Sequence, residues 1–224
     1  MEEKIQVLGL QLNSITAKDA MKRLMSYIKT EPASVIEMIT MNSINKFQNE
    51  ENVGEIFQTF ELVLAGDKGI LQAAGIKDEK RLKEADEQIF IKMLMHYLHK
   101  NSIKVFLLAD TQADLMKLEG YMEEDYARIQ IVEMATMDEQ GISDDMILNL
   151  INGAEAECVI SVLPSPLEEK FVCCNKALVN TKVWLGLGNL LDEMKREKTA
   201  FRKIKDFITR LILKKQIAKK GENA

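Results

Sequence analysis

Six short apolar runs punctuate this chain, spaced so that most successive pairs leave room for a helix, and that alternation limits the folds open to it. The runs are residues 34–40 (SVIEMIT), 61–65 (ELVLA), 104–109 (KVFLLA), 129–134 (IQIVEM), 157–163 (ECVISVL) and 182–187 (KVWLGL). β-Branched residues are plentiful in them, and several are almost continuously apolar, the pattern of strands covered on both faces. Helical periodicity between them predicts helices over residues 17–29, 87–100, 112–122 and 143–151. Thr16 opens the first, with Asp19 three residues on, an N-terminal capping arrangement. Strand–helix alternation of this kind predicts an α/β fold, a Rossmann-like and mainly parallel sheet of about six strands with helices on both faces. Residues 4–12 are expected to add a small hairpin or an edge strand. Sheets of this type bind ligands beyond the carboxyl ends of their strands, so the segments just after each run are where chemistry is sought.

With 224 residues the chain has room for one large domain and an appendage, expected at residues 1–199 and 200–224. A hydrophobic share of 46% against 29% charged residues is that of a globular protein and argues against disorder. No apolar run approaches the ~18 residues of a membrane-spanning helix. The start, Met1-Glu2-Glu3-Lys4, lacks the basic-then-apolar pattern of a secretory signal, so a cytoplasmic protein is expected. Cys158, Cys173 and Cys174 are too few and too odd in number for a disulfide framework. Charge is divided unevenly. Residues 200–220 carry eight basic residues against Asp206 alone, a net +7 that leaves the rest of the chain at −12. The acidic body repels nucleic acid and anionic lipid, whereas the basic tail attracts both. Phe201, Ile204, Ile208 and Leu211 lie at helical spacing in that tail, a stripe able to pack on the protein or to lie on a bilayer surface.

Several segments after the runs carry groups with chemistry, each with a plainer reading beside it. Thr40 and Asn42 offer a hydroxyl and an amide to a sugar or base, or else Asn42 or Ser43 caps the next helix. In Gly66-Asp67-Lys68-Gly69 the glycines let backbone approach a ligand and Asp67 could take a proton from a hydroxyl, or the segment is an ordinary turn. Glu168 and Glu169 follow a loop stiffened by Pro164 and Pro166, where acidic residues also simply complement a helix dipole. Gly186 and Gly188, followed by Asp192, form a Gly-x-Gly after a strand, suggestive of phosphate approach but weak alone. His96 and His99 share one helix with no third ligand placed beside them, so packing or surface histidines are expected rather than a metal site.

The order of these segments resembles the WecG/TagA/CpsF family, glycosyltransferase family 26, over nearly the whole chain. The family's Thr-x-Asn is matched by Thr40-Met41-Asn42, and its Pro/Ala-Asp-Gly-x-Gly loop resembles Ala65-Gly66-Asp67-Lys68-Gly69. Its Arg-x-x-Gly-x-Asp looks like Arg81 to Asp86 with the glycine lost, and its "vfLLGG" strand like Val105 to Asp110. Gly-x-Pro-x-Gln-Glu lies in register with Pro164 to Glu169, Gly-x-Gly-x-x-x-Asp with Gly186 to Asp192, and Glu-Trp-x-x-Arg-Leu with Asp206 to Leu211.

The resemblance implies transfer of an N-acetylated amino sugar from a UDP-sugar to a lipid-linked acceptor in cell-wall or surface-polysaccharide synthesis. It implies inversion, no metal and no cofactor, at the inner face of the cytoplasmic membrane, where the basic tail would meet anionic lipid. Asp67 would be the catalytic base. Thr40, Asn42, Gly69, Asp86, Glu168, Glu169, Gly186, Gly188, Asp192 and Arg210 would line the substrate site, with Arg210 facing the departing pyrophosphate. No nucleic-acid partner is implied, and self-association is left open. Kept in register at Gly69, however, the family's base position falls on Gly66, and Glu168 replaces the family's glutamine. An alternative therefore stands beside the enzyme, a catalytically impaired homologue that binds sugar nucleotides or serves as a partner subunit.

Overall fold

The computed structural model describes residues 4–29, 32–47, 50, 52–138 and 141–191, which lie, Leu191 apart, in one compact unit. The first two strands, β1 (Lys4–Val7) and β2 (Leu10–Asn13), form an antiparallel hairpin around Leu8 and Gly9, both at positive φ. Helix α1 (Ala17–Tyr27) follows, and the expected cap is present: Thr16 Oγ1 accepts the Asp19 N–H at 3.2 Å and donates to Asp19 Oδ2 at 2.8 Å.

All six apolar runs are strands: β3 (Ser34–Ile39), β4 (Leu62–Ala65), β5 (Lys104–Ala109), β6 (Gln130–Thr136), β7 (Cys158–Val162) and β8 (Val183–Gly186). They form one parallel sheet in the order β4-β3-β8-β7-β5-β6. Every residue of β3, β7 and β8 is buried, the reason these runs are apolar without alternation. The hairpin shields the β4 edge, where Asn13 Oδ1 accepts the Val63 N–H at 2.9 Å.

Helices cover both faces. On one lie α2 (Met41–Phe47), α3 (Val53–Gln58), α8 (Asp144–Gly153) and α9 (Leu167–Asn175), whose Ile44, Phe57, Ile151 and Phe171 pack with Val35, Val159 and Trp184. The other carries α1, α6 (Ile89–Asn101) and α7 (Gln112–Tyr126), with α4 (Lys68–Ala73) and the exposed α5 (Glu79–Asp86) bridging to α6. Helices α2 to α5 have six to eight residues each, too short to announce themselves by periodicity. The four longer helices expected from periodicity are α1, α6, α7 and α8, within two residues at their ends except that α7 runs on to Tyr126, four residues past its expected end.

The outgoing connection of β5 runs to the sheet edge and that of β7 runs back toward β8. The two neighbours therefore mark the sheet's switch point, beside whose carboxyl ends ligands usually bind in sheets of this kind. Cys158, Cys173 and Cys174 are all free thiols, and burial pushes Cys158 up to about 12, so it acts as a small apolar core residue. His96 is exposed, while His99 is half-buried and accepts the Arg128 N–H at 3.3 Å through Nδ1. Among the described residues no group of three or more His, Cys, Asp or Glu could hold a metal, and no helix is long and apolar enough to cross a membrane.

Candidate functional site

The ends of β3 and β4 meet first. Gly66 donates its N–H to Ile39 O at 2.7 Å, and a Cβ at Gly66 would lie 3.1 Å from both Ile39 O and Thr40 Cγ2. The missing side chain thus makes room for the neighbouring strand end rather than for a ligand. Thr40 is fully buried. Its Oγ1 accepts the Ser43 N–H at 3.2 Å, so Thr40, not Asn42 or Ser43, caps α2, and Asn42 is exposed on that helix.

Asp67 is bound from both sides. Its Oδ1 accepts the Ile70 N–H at 3.0 Å, capping α4, while Oδ2 accepts the Met41 N–H at 2.7 Å from the start of α2. The carboxylate is half-buried and staples two motif loops together. Gly69 lies against it, its absent Cβ 3.0 Å from Asp67 Oδ1. Lys68, next along, pairs with Asp86 at 3.0 Å in the open, so the Arg81–Asp86 helix is tied to the same loop.

The loop after β7 delivers two glutamates, and both are buried. Glu168 Oε2 accepts the Ser161 hydroxyl at 2.7 Å and the Leu163 N–H at 3.1 Å, while Oε1 accepts the Trp184 Nε1–H at 2.7 Å. With every oxygen engaged by its own sheet, Glu168 does not face a nucleotide. Glu169 Oε1 accepts the Ser165 hydroxyl at 2.8 Å, and its Oε2 has no partner.

A third carboxyl, absent from the sequence reading, completes the group. Glu37 points from β3 into the same layer, 1% exposed, with its Oε2 unpartnered. The space it occupies exists because its sheet neighbour Gly186 has no side chain. Gly186 therefore accommodates a glutamate rather than a phosphate. Its companion Gly188, at φ +48, approaches the Leu163 carbonyl across the adjoining loop. The signal for Glu37 was in the sequence: one acidic residue inside the apolar run SVIEMIT.

Burial pushes all three acids upward. Glu37 is held well above the usual carboxylate range, by burial first and then by the charges of Glu168 and Glu169. Burial likewise raises Glu168 to about 8 against the opposing hydrogen bonds, and Glu169 to about 7. Among the described residues no buried cation lies with these three carboxyls, so they do not all ionise together at neutral pH. Lys46 of α2 offsets both Glu169 and Asp110, and Lys170 also offsets Glu169. Asp110, after β5, is raised by partial burial and by Asp114 and Asp138.

On the opposite face of the sheet, beside the Asp67 loop, lies a cavity of about 50 Å³ walled by Asn13, Met38, Ala65, Arg81, Glu84 and Gln88 among others. Arg81 donates to Ser14 Oγ, and Glu84 Oε2 accepts the Ala17 N–H at 2.9 Å at the start of α1.

The segments after β3 and β4 are thus joined by the Met41–Asp67 bond, the Lys68–Asp86 pair ties α5 to the same loop, and the segment after β7 meets β3 and β8 around the three carboxyls. The sequence model of the glycosyl transferase WecG/TagA/CpsF family matches residues 5–198. The chain belongs to that family. No individual curated protein matches closely enough to narrow the assignment further. Membership in the WecG/TagA/CpsF family implies a glycosyltransferase of cell-surface polysaccharide synthesis, with a sugar-nucleotide donor and a lipid-linked acceptor in general terms. Thr40, Asp67, Gly69 and Asp86 come together around one loop, and Glu168, Glu169, Gly186 and Gly188 around a neighbouring buried layer. Asp192 and Arg210 lie outside the described residues.

Proposed function

We propose that this WecG/TagA/CpsF protein transfers an N-acetylated amino sugar from a UDP-sugar to a lipid-linked acceptor, with inversion and without a metal. The observation that carries the reading is the joining of the Thr40 and Asp67 loops at the sheet's carboxyl edge, through the 2.7 Å bond from Met41 N–H to Asp67 Oδ2. In this reading an acceptor hydroxyl attacks the anomeric carbon and passes its proton to Asp67. The bond from that carbon to the β-phosphate oxygen breaks, and UDP leaves with its charge met by backbone N–H groups and Arg210. The basic segment 200–224 holds the protein at an anionic membrane surface close to its lipid-linked substrate.

A second reading is favoured by the same residue. Both Asp67 oxygens already serve backbone amides, and the carboxylate stands one position late in the family's loop. On that ground the chain is a non-catalytic homologue that binds sugar nucleotides or partners an active enzyme. Calorimetric titration with UDP, followed by UDP release from several UDP-sugars with and without a lipid-linked acceptor, separates the two. Acceptor-dependent turnover carries the enzyme, and UDP binding without turnover carries the homologue. Absence of both defeats the sugar-nucleotide site itself.

A further inference from the structure

Helix α5 is held differently from the helices that cover the sheet. No residue from 72 through 87 is buried, so this stretch adds little of the apolar burial that stabilises the rest. Polar ties bind α5 to the body. Arg81 donates to Ser14 Oγ, Glu84 Oε2 accepts the Ala17 N–H at 2.9 Å, and Asp86 meets Lys68 at 3.0 Å with both side chains about half exposed. Ties of this kind contribute little where water competes for them, which sets α5 at the low end of local stability.

Both ends of the segment have left-handed backbone. Gly75, at φ +76, ends α4 in open space, and Gln88, at φ 51, begins α6. Between them Asp78 Oδ1 accepts the Lys80 and Arg81 N–H groups at 3.0 and 3.4 Å, so α5 carries its own cap and keeps its form when its ties part. Gln88 favours parting. A residue other than glycine is strained in this conformation, and its side chain, 5% exposed, holds an Oε1 with no partner. The other polar walls of the cavity it lines are engaged: Asn13 by the Val63 N–H, Thr16 by Asp19, Arg81 by Ser14 and Glu84 by Ala17. Lifting α5 would let water into the cavity and give the Gln88 oxygen its missing donor.

We propose that residues 76–87 form a strap that swings on Gly75 and Gln88, opening the cavity beside the Asp67 loop while the sheet stays folded. Closed, Arg81, Glu84 and Ala85 wall off the cavity at Ala65, the residue before Gly66-Asp67. Open, the strap gives small solutes a route to the back of that loop and releases Lys68 from Asp86. The motion stands whichever reading of the function holds.

Thiol labelling of the full chain tests it, because the protein supplies its own standards. Cys174 is exposed and reports free access, whereas Cys158 is buried in β7 and reports unfolding of the sheet. Ala20 lines the cavity at 1% exposure, and Ala20→Cys places a further reporter beneath the strap. A small methanethiosulfonate, read out by mass spectrometry, is expected to label that position at least ~100-fold more slowly than Cys174 and at least ~100-fold faster than Cys158. Low urea is expected to accelerate Cys158 steeply and leave position 20 unmoved, since a local opening exposes little surface. Gln88→Met, which keeps the size and removes the bare acceptor, is expected to slow labelling at position 20 by roughly 10-fold. Should Ala20→Cys fail to fold, hydrogen exchange at the Ala17 N–H of the wild type, the donor to Glu84, decides by the same urea dependence. A urea slope equal to that of Cys158 overturns the strap, and so does labelling as fast as Cys174. Unchanged labelling in a folded Gln88→Met chain overturns the part given to Gln88.

Discussion

The carboxyl of Glu37 lies over the bare Cα of Gly186, its register partner on the neighbouring strand, where a methyl group would overlap it. Gly186→Ala is therefore an overpacking change in a fully buried layer, and it should cost about 1–3 kcal/mol in urea unfolding. The same substitution in a Glu37→Ala background should cost much less, because the overlapping group has gone. A full penalty in both backgrounds would mean that Gly186 is required for its backbone and not for the room it gives.

Raised carboxyls give this fold an alkaline weakness. The ordinary value for Glu168 and Glu169 is 4.5, and burial lifts them to about 8 and about 7, with Glu37 also well above its ordinary value. Across that window the folded chain holds protons that the unfolded chain has released. The stabilising contribution is complete below the unfolded value, falls as pH rises through the window and levels off above it. Glu37→Gln removes one titrating member of the group, whose Oε2 has no partner, so it should raise the melting temperature near pH 8 and leave it almost unchanged near pH 5. Trp184, the only tryptophan, donates to Glu168, so its fluorescence should change over the same window in the folded protein. Equal melting shifts at both pH values would show that the group does not titrate as a unit.

The strands were legible because a sheet covered on both faces demands continuous apolar runs, and SVIEMIT, KVFLLA and ECVISVL provide them. Thr16 with Asp19 was legible for a local reason, since an N-terminal cap is complete within four residues. The site was less so. Whether Asp67 is free or bound depends on Met41, which is remote in sequence and brought near only by β3–β4 pairing. Glu168 as a ligand of Trp184 depends on a helix folding back over β8.

Asp67 offers a test that separates fold from chemistry. Asn retains one acceptor oxygen and so satisfies only one of the two amides. Asp67→Asn should then destabilise by roughly 1–2 kcal/mol, the usual scale of a lost cap. If Asp67 also takes the acceptor proton, kcat should fall a further ~10²–10⁴-fold in the fraction that remains folded, with UDP affinity little altered. Loss of UDP binding together with stability would assign Asp67 to loop architecture alone.

Residues 200–224 provide the last test. Their net charge through Lys220 is +7, attached to a body, residues 1–199, of −11, and each basic residue near an anionic bilayer contributes about 1 kcal/mol. Removing residues 200–224 should abolish sedimentation with vesicles containing phosphatidylserine, while binding of the full chain should weaken steeply as salt rises, because surface attraction is screened within a Debye length. The acidic body, left alone, is repelled by the same surface. A truncated chain that still sediments with those vesicles would place membrane attachment on the body and leave the tail's charge to some other partner.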